Sequence, residues 1–236
     1  MSKIDKVDNN INIENIEWVV LDGWGTIADV LDKPVIPPSF WVPRDVRKHL
    51  MTHPVSLDEI KSKPLVVEWV EVKIPEFVIN QTEAELRKAF LFPDFYSKVT
   101  HNGVEYEDTI EWLHANGKRV FIWSNWWQAY AEALDRLIKD GKLDYKFISC
   151  YMWTQKPDPK FFEYIKEKIG IPFEKMVMVW NNISSDIIWA NAVWMWTIYM
   201  DRKHKGPPET MYIKTPWFYT TKIWTLDQLL DVLIKQ

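Results

Sequence analysis

Short apolar runs recur along the chain and are separated by segments long enough to form helices. The runs cover residues 16–21, 120–123, 147–150, 176–179 and 197–200. Short apolar runs bounded by polar or turn residues are typical of buried strands. Strands that alternate with helices predict a parallel sheet covered on both faces. The expected fold class is therefore α/β, with a Rossmann-like parallel sheet and helices on both faces.

Apolar residues at helical spacing mark the segments between these runs. Residues 128–139 and 161–169 each have one apolar face, and a glycine follows each segment, which favours a helix end there. Near residue 225, Thr225 and Gln228 form a capping box that predicts the start of a last helix. We expect these apolar faces to pack in the core.

Residues 33–97 interrupt the alternation of strands and helices. Prolines at 34, 37, 38 and 43 open the region. The capping boxes Ser56-x-x-Glu59 and Thr82-x-x-Glu85 predict the starts of two short helices. Residues 66–74 fit either a helix or a strand.

The interruption predicts how the chain is organised. We expect a flexible N-terminus at 1–14 and an α/β core formed by 15–32 and 98–236. Residues 33–97 are expected to form a small, mainly helical subdomain inserted after the first strand.

Composition limits the classes of protein that fit. The formal net charge is −4, so no basic surface for nucleic acid is expected. No apolar run approaches the ~18 residues of a membrane span, and the polar start does not look like a secretion signal. Cys150 is the only cysteine, so no internal disulfide is expected. These features predict a cytoplasmic protein with no membrane or nucleic-acid partner, and they leave the oligomeric state open.

Four segments carry residues that can take part in catalysis; three of them lie at the end of an apolar run, and QKPDP lies between a strand and a helix. These residues are Asp22 and Thr26 in VVLDGWGTI, Ser124 and Asn125 in VFIWSN, Lys156 in QKPDP, and Asn181 and Asp186 in VMVWNNISSD. The loops at the carboxyl ends of parallel strands converge on one crevice. We therefore expect these side chains to meet despite their distance in sequence.

The order of these segments resembles the four motifs of the haloacid dehalogenase (HAD) superfamily of hydrolases. That family's pattern reads D-x-D-G-T after a strand, S/T-N after a second strand, a lysine often in KPDP, and G-D-x-x-x-x-D after a further strand. The resemblance covers roughly residues 15–235, and residues 33–97 match the position of the family's cap. It is closer to the phosphatase-like branch, with altered first and fourth motifs.

The resemblance implies a role for each motif residue. Asp22 would be the nucleophile, forming a covalent intermediate that water then cleaves. Thr26, Ser124 and Asn125 would hold the oxygens of the transferred group, while Lys156 would orient Asp22 and bind substrate. From the residues alone, Asp22 could simply end a strand, Ser124 and Asn125 could cap a helix, and Lys156 could be solvated.

The resemblance also implies a magnesium site. Its ligands would be Asp22, the backbone carbonyl of Trp24, Asn181 and Asp186, since Mg²⁺ prefers oxygen ligands. Asn181 stands where the family has aspartate and supplies no charge, so weak binding or none is expected. Asp186 could instead cap a helix that begins near Ser184.

Trp24 is the main departure from the phosphatase pattern. The residue at that place in the family's phosphatases protonates the leaving group and then activates water, and an indole cannot do this. Haloacid dehalogenases resemble the chain in having an aromatic residue there, and they need no metal. Their substrate-carboxylate arginine has two candidates here, Arg44 and Arg47.

Tryptophan is abundant and glycine is scarce. The chain has 15 tryptophans, and its 7 glycines are under half of what the usual ~7% would give. Trp180 and Trp194 stand where the family commonly has glycine. Three explanations stay open: a tryptophan-rich core, an aromatic pocket in which Trp126 helps to bind substrate, and a redesigned chain derived from an ordinary HAD hydrolase.

The sequence therefore predicts a HAD-like hydrolase of phosphatase descent that acts on a small phosphorylated metabolite with an impaired site. A metal-independent 2-haloacid dehalogenase is the first alternative. A catalytically silent ligand-binding or scaffold protein is the second.

Overall fold

The computed structural model describes residues 11–28, 41–87, 91–203, 205–214 and 217–234, apart from the side chains of residues 185, 217 and 234. Its strands are β1 (Ile11–Asn12), β2 (Trp18–Leu21), β3 (Leu65–Val67), β4 (Val70–Val72), β5 (Val99–His101), β6 (Val104–Tyr106), β7 (Arg119–Ser124), β8 (Tyr145–Ile148), β9 (Met176–Trp180), β10 (Trp196–Met200), β11 (Glu209–Lys214), β12 (Trp217–Ile223) and β13 (Leu233–Ile234). Its α-helices are α1 (Arg44–Thr52), α2 (Leu57–Ser62), α3 (Glu76–Arg87), α4 (Thr109–Ala115), α5 (Gln128–Ala133), α6 (Asp135–Lys139), α7 (Ser149–Met152), α8 (Pro159–Ile169), α9 (Ile188–Ala192) and α10 (Leu229–Val232).

Seven strands form one sheet in the order β11-β12-β10-β9-β2-β7-β8. The pairs β9–β10, β10–β12 and β7–β8 are parallel, and only β11 is recorded as antiparallel to its neighbour. The apolar runs form strands whose side chains are buried: every residue of β2 and β9 is buried. The predicted α/β fold with a Rossmann-like, mainly parallel sheet is confirmed.

The chain divides into two compact units. The first comprises Met1–Val20, Pro93–Arg119 and Ile171–Gln236. Within it β9 pairs with β10, with Trp196 opposite Val177, and α4 begins at Asp108, whose side chain accepts a hydrogen bond from the Glu111 N–H. β1 pairs with β13 near the C-terminus. Of the predicted flexible N-terminus, Ile11 and Ile13 are buried, while residues 1–10 lie outside the described residues.

The second unit comprises Leu21–Phe92 and Val120–Gly170. It contains β7, β8, α5 to α8, and the described part of the predicted cap. That part, residues 41–87, holds α1, α2, the β3–β4 hairpin and α3, so residues 66–74 contain strand rather than helix. The boundaries of core and cap remain a prediction.

One predicted helix start in this unit is confirmed and one is wrong. The Ser56 hydroxyl accepts a hydrogen bond from the Glu59 N–H, 3.1 Å away, and so caps α2. Thr82 instead lies in the middle of α3, and its hydroxyl donates to the Val78 carbonyl at 2.8 Å. A threonine hydroxyl inside a helix can turn back to the carbonyl four residues earlier, so the same residue type serves both settings.

Other boundaries also differ from expectation. The expected strand at 147–150 ends at Ile148, and Cys150 lies in α7, where burial raises the pKa of its thiol to about 12. The expected helix at 128–139 is two short helices, α5 and α6, that meet at Leu134.

The capping box predicted at Thr225 is wrong. Thr225 makes no side-chain cap, and the Gln228 side chain accepts from the Trp224 N–H and donates to the Gly206 carbonyl. The amide therefore ties two loops instead of closing a box. Among the described residues, no helix is both long enough and apolar enough to cross a membrane.

Candidate active site

The second unit places a buried ion pair where β2 ends. Asp22 follows β2 directly and is 6% exposed, and Lys156 is 4% exposed. The Lys156 Nζ donates to Asp22 Oδ1 at 2.8 Å and to the Trp123 carbonyl at 3.2 Å. The two residues are 134 positions apart in sequence, so their contact depends on the fold. The structure thus brings together the predicted nucleophile and the predicted lysine.

Asn125 holds the backbone of Lys156. Its Nδ2 donates to the Lys156 carbonyl and its Oδ1 accepts from the Lys156 N–H, both at 2.8 Å. A side-chain amide has one donor group and one acceptor, and here both are used on one residue. The side chain therefore does not cap α5, whose N-cap is Trp127 without a side-chain bond. Asn125 positions the lysine.

The turn after Asp22 is closed on itself. The Gly23 carbonyl accepts the N–H groups of Ile27 and Ala28, at 3.1 and 3.0 Å, and Gly25 has φ +76°. Thr26 lies fully buried inside this turn. The arrangement fixes the backbone that follows the carboxylate.

Gly23 is pressed against the loop that follows β7. A Cβ on Gly23 would lie 2.2 Å from a Trp126 ring carbon and 2.6 Å from Ser124 Oγ. Ser124 and Trp126 are themselves buried, so they cannot withdraw into solvent. The two loops fit together only because residue 23 has no side chain.

Trp24 lies in an aromatic cluster. Its ring makes edge contacts with Trp126 and Tyr130, with centroid distances of 5.8 and 5.2 Å, and it is half-buried. Trp126 is fully buried, so in this arrangement its ring supports the loop and offers no surface to a substrate.

The cluster continues to a buried carboxylate on α3. The Tyr130 hydroxyl donates to Glu85 Oε2 at 2.6 Å, and both residues are buried. Burial raises the pKa of Glu85 above its usual range, an effect that the hydrogen bond from Tyr130 partly opposes. Burial and the Glu85 charge both raise the pKa of Tyr130.

The other predicted site residues belong to other elements of the chain. Arg44 is exposed at the first residue of α1, and Arg47 is half-buried one turn later. In the first unit, Asn181 follows β9 and is half-buried, while Asp186 is buried in the π-helical turn Ile183–Ile187.

Asp186 is not the cap of that turn. Asn182 Oδ1 accepts from both the N–H and the hydroxyl of Ser184, so Asn182 has the capping role.

The predicted magnesium ligands include two carboxylates, those of Asp22 and Asp186. Within the described part of the chain, no group of three or more histidine, cysteine, aspartate or glutamate residues could hold a metal ion. Asp22 already faces an ammonium group, and Asn181 is neutral.

Sequence reasoning missed the partners that shape this site. Gly23 was not singled out, although a glycine directly after a strand-ending acid is a turn signal. Glu85 was assigned to a capping box, and nothing in its local sequence marks it as the partner of Tyr130. Trp127 donates its indole N–H to the Val55 carbonyl at 2.8 Å, a contact between distant segments that no local pattern indicates.

Comparison with known proteins places the fold. A HAD family enzyme from Bacteroides thetaiotaomicron, solved with magnesium and inorganic phosphate, has a TM-score of 0.56 and 14% identity over 80% of this chain and 96% of its own. A putative HAD-hydrolase from Bacillus subtilis bound to magnesium has a TM-score of 0.51 and 14% identity over 92% and 98%. A 2-haloacid dehalogenase from Pseudomonas syringae pv. Tomato has a TM-score of 0.50 and 16% identity over 92% and 97%.

No family model matches the sequence, and no curated protein matches it. At these identities the structural likeness concerns the fold, and the chain has the HAD fold.

Breaking the Asp22–Lys156 pair should destabilise the protein strongly. Lys156→Met leaves a buried carboxylate without its cation, and we expect a loss of about 3–5 kcal/mol in the free energy of unfolding. Asp22→Leu combined with Lys156→Met should recover most of that loss, because no charge remains buried. Urea unfolding measures both, and a double variant no more stable than Lys156→Met would contradict the role of the pair.

Adding one methyl group at position 23 should force the two loops apart. Gly23→Ala is expected to lower the free energy of unfolding by about 1–3 kcal/mol, because Trp126 and Ser124 must shift. Trp126→Ala in the same chain makes room, so the double variant should lose less than the sum of the single losses. If the losses of the two single variants simply added up in the double variant, contact with Trp126 would not be what excludes a side chain at position 23.

Glu85 should make stability depend on pH. Its pKa is raised in the folded state, so the folded protein favours the protonated form of Glu85. The contribution of Glu85 to the free energy of unfolding is therefore fully present below pH 4.5, the ordinary pKa, and is lost as pH rises through the raised pKa. Glu85→Gln keeps an acceptor for Tyr130 and removes the charge. The variant should gain stability relative to the parent between pH 4.5 and 7, as measured by thermal unfolding.

Glu83 on the same helix is the matched control. A hydrogen bond from Lys61 lowers its pKa, so its contribution is present above the unfolded value and is lost as pH falls. Glu83→Gln should therefore change stability with pH in the opposite direction. If both substitutions changed the pH dependence of stability in the same direction, burial of Glu85 could not be its cause.

Proposed function

We propose that this chain is a HAD-type hydrolase that uses Asp22 as its nucleophile and acts on a small phosphorylated metabolite. The observation that supports this most is the buried pair of Asp22 and Lys156 directly after β2. Lys156 binds only Oδ1, and among the described residues no polar side chain or N–H group is recorded on Oδ2. One oxygen is oriented by the ammonium group while the other is left to react.

The reaction has two stages. The Asp22 carboxylate attacks phosphorus, the bond from phosphorus to the leaving oxygen breaks, and an aspartyl phosphate forms. Water then cleaves that intermediate, releasing phosphate and regenerating the carboxylate. Lys156 offsets part of the negative charge on the carboxylate and the phosphate. Ser124 is the last residue of β7, where its hydroxyl can donate to a phosphate oxygen.

Trp24 restricts which leaving groups depart well. Its indole cannot give a proton to the departing oxygen, so that proton must come from solvent. Substrates whose leaving group is already a weak base should therefore react fastest. We infer that magnesium binds weakly or not at all, since Asn181 supplies no charge. A bound ion would neutralise phosphate charge.

A metal-independent dehalogenase is the alternative, and Trp24 favours it. The Trp24 ring packs on Trp126 and Tyr130 and gives the site an apolar wall. Halide departs without a proton, so the missing acid matters less. Arg44 or Arg47 would bind the substrate carboxylate. A catalytically inactive ligand-binding or scaffold protein is the remaining hypothesis.

Asp22→Asn should separate these functions. Purified protein is assayed for phosphate release from an aryl phosphate, with magnesium and with a chelator, and for chloride release from a 2-chloro acid. We expect phosphate release that falls on the order of 10⁴-fold or more in Asp22→Asn, because the amide cannot act as the nucleophile. Chloride release insensitive to the chelator selects the dehalogenase.

Asp58→Asn is the control for that assay. Asp58 is an exposed acid on α2, and its side chain is 97% exposed. The change removes one carboxylate from the same unit and should leave the rates unaltered. If the unmodified protein released neither phosphate nor chloride, the hydrolase proposal would be contradicted and a ligand-binding or scaffold protein would be favoured.

A further inference from the structure

Three exposed tryptophans have backbone conformations that favour glycine. Trp69, Trp153 and Trp194 have φ angles of +70°, +58° and +63°. A side chain in this left-handed region crowds the following carbonyl, so residues other than glycine, asparagine and aspartate rarely adopt it. Bulky residues there are genuine outliers.

A second hairpin in the chain shows what residue 69 replaces. The β3–β4 turn has φ +48° at Glu68 and +70° at Trp69, and the β5–β6 turn has φ +53° at Asn102 and +78° at Gly103. Two positive φ angles in a two-residue loop are the signature of a type I′ turn, for which Asn-Gly is the favoured pair. Trp69 thus occupies the position that Gly103 holds in the matching hairpin.

The helix ends give the same comparison for residue 194. Gly117 and Gly141, both at φ +72°, end α4 and α6. In each case the next residue donates its N–H to a carbonyl five positions earlier, Lys118 to Leu113 and Lys142 to Leu137. This is the glycine-terminated Schellman motif.

Trp194 stands in the same motif at the end of α9. The N–H of the following residue, Met195, donates to the Ala190 carbonyl at 3.0 Å. Trp153 likewise follows α7 at a left-handed C-cap, the place that Gly170 holds after α8 with φ +68°. All three tryptophans therefore have a glycine counterpart within the chain.

Packing gives little reason for tryptophan at these positions. The side chains of Trp69, Trp153 and Trp194 are 97%, 65% and 78% exposed. Trp153 makes one ring contact, edge-on to His53 at 4.6 Å. The apolar area that these side chains bury is too small to offset the free-energy cost of the left-handed backbone.

We propose that these three tryptophans stand at glycine positions and that the gene encodes them with UGA, a codon that one genetic code reads as tryptophan and another as glycine. The exchange accounts for the three left-handed backbones, and it moves the counts of 15 tryptophans and 7 glycines toward ordinary values. A deliberate aromatic redesign would place indoles where they pack, whereas these three point into solvent. The proposal does not depend on the proposed function.

The codons give the first test. Sequencing the gene should show UGA at positions 69, 153 and 194. UGG at any one of the three positions would overturn the proposal, since UGG specifies tryptophan in both codes.

Stability gives the second test. Trp69→Gly, Trp153→Gly and Trp194→Gly should each raise the midpoint of thermal unfolding by about 2–4 °C, because relief of left-handed strain exceeds the lost contacts. Trp41→Gly and Trp196→Gly are the matched controls. These residues are 56% and 46% exposed but lie outside the left-handed region, so glycine there should lower the midpoint.

The two tests can be told apart from a failure of the catalytic proposal, because neither measures turnover. A rise confined to the three left-handed positions supports the exchange. No rise, or an equal rise in the control variants, would overturn it.

Discussion

The ion pair between Asp22 and Lys156 is the constraint on which the candidate site depends. Two opposite charges removed from water are tolerated only when their geometry is good and their remaining hydrogen-bonding groups are satisfied. Asn125 fixes the Lys156 backbone, the Trp123 carbonyl takes a second ammonium proton, and the Gly23 turn fixes the acid. The loops after β2 and β7 and the loop before α8 are thereby set against one another, which is also what a nucleophile needs.

Much of the candidate site could be predicted from the sequence, because short motifs specify its residues. Asp22 and Asn125 come directly after apolar runs, Lys156 lies in a turn before a helix, and the loops at one end of a parallel sheet converge, so these residues are expected to meet. The role of Ser56 as a helix cap could also be predicted, because the cap joins residues only three positions apart. These predictions rest on contacts between close neighbours or on a general property of the fold.

What could not be predicted depends on distant partners or on backbone angles. Thr82 and Ser56 have the same local signature, yet only Ser56 starts a helix, because α3 begins directly after Pro75. Glu85 became a buried carboxylate only through Tyr130, 45 positions away. The left-handed angle of Trp153 has no local sequence signal, since tryptophan is the last residue one would place there.

The bond between Glu85 and Tyr130 also has a consequence for motion. It joins α3, from the predicted cap region, to α5, which follows the motif of Ser124 and Asn125. Separation of these two helices would bring Glu85 into water, where burial would no longer raise its pKa. Separation of the helices and loss of the Glu85 proton are therefore thermodynamically linked, and a rise of pH from the ordinary pKa through the raised one favours separation.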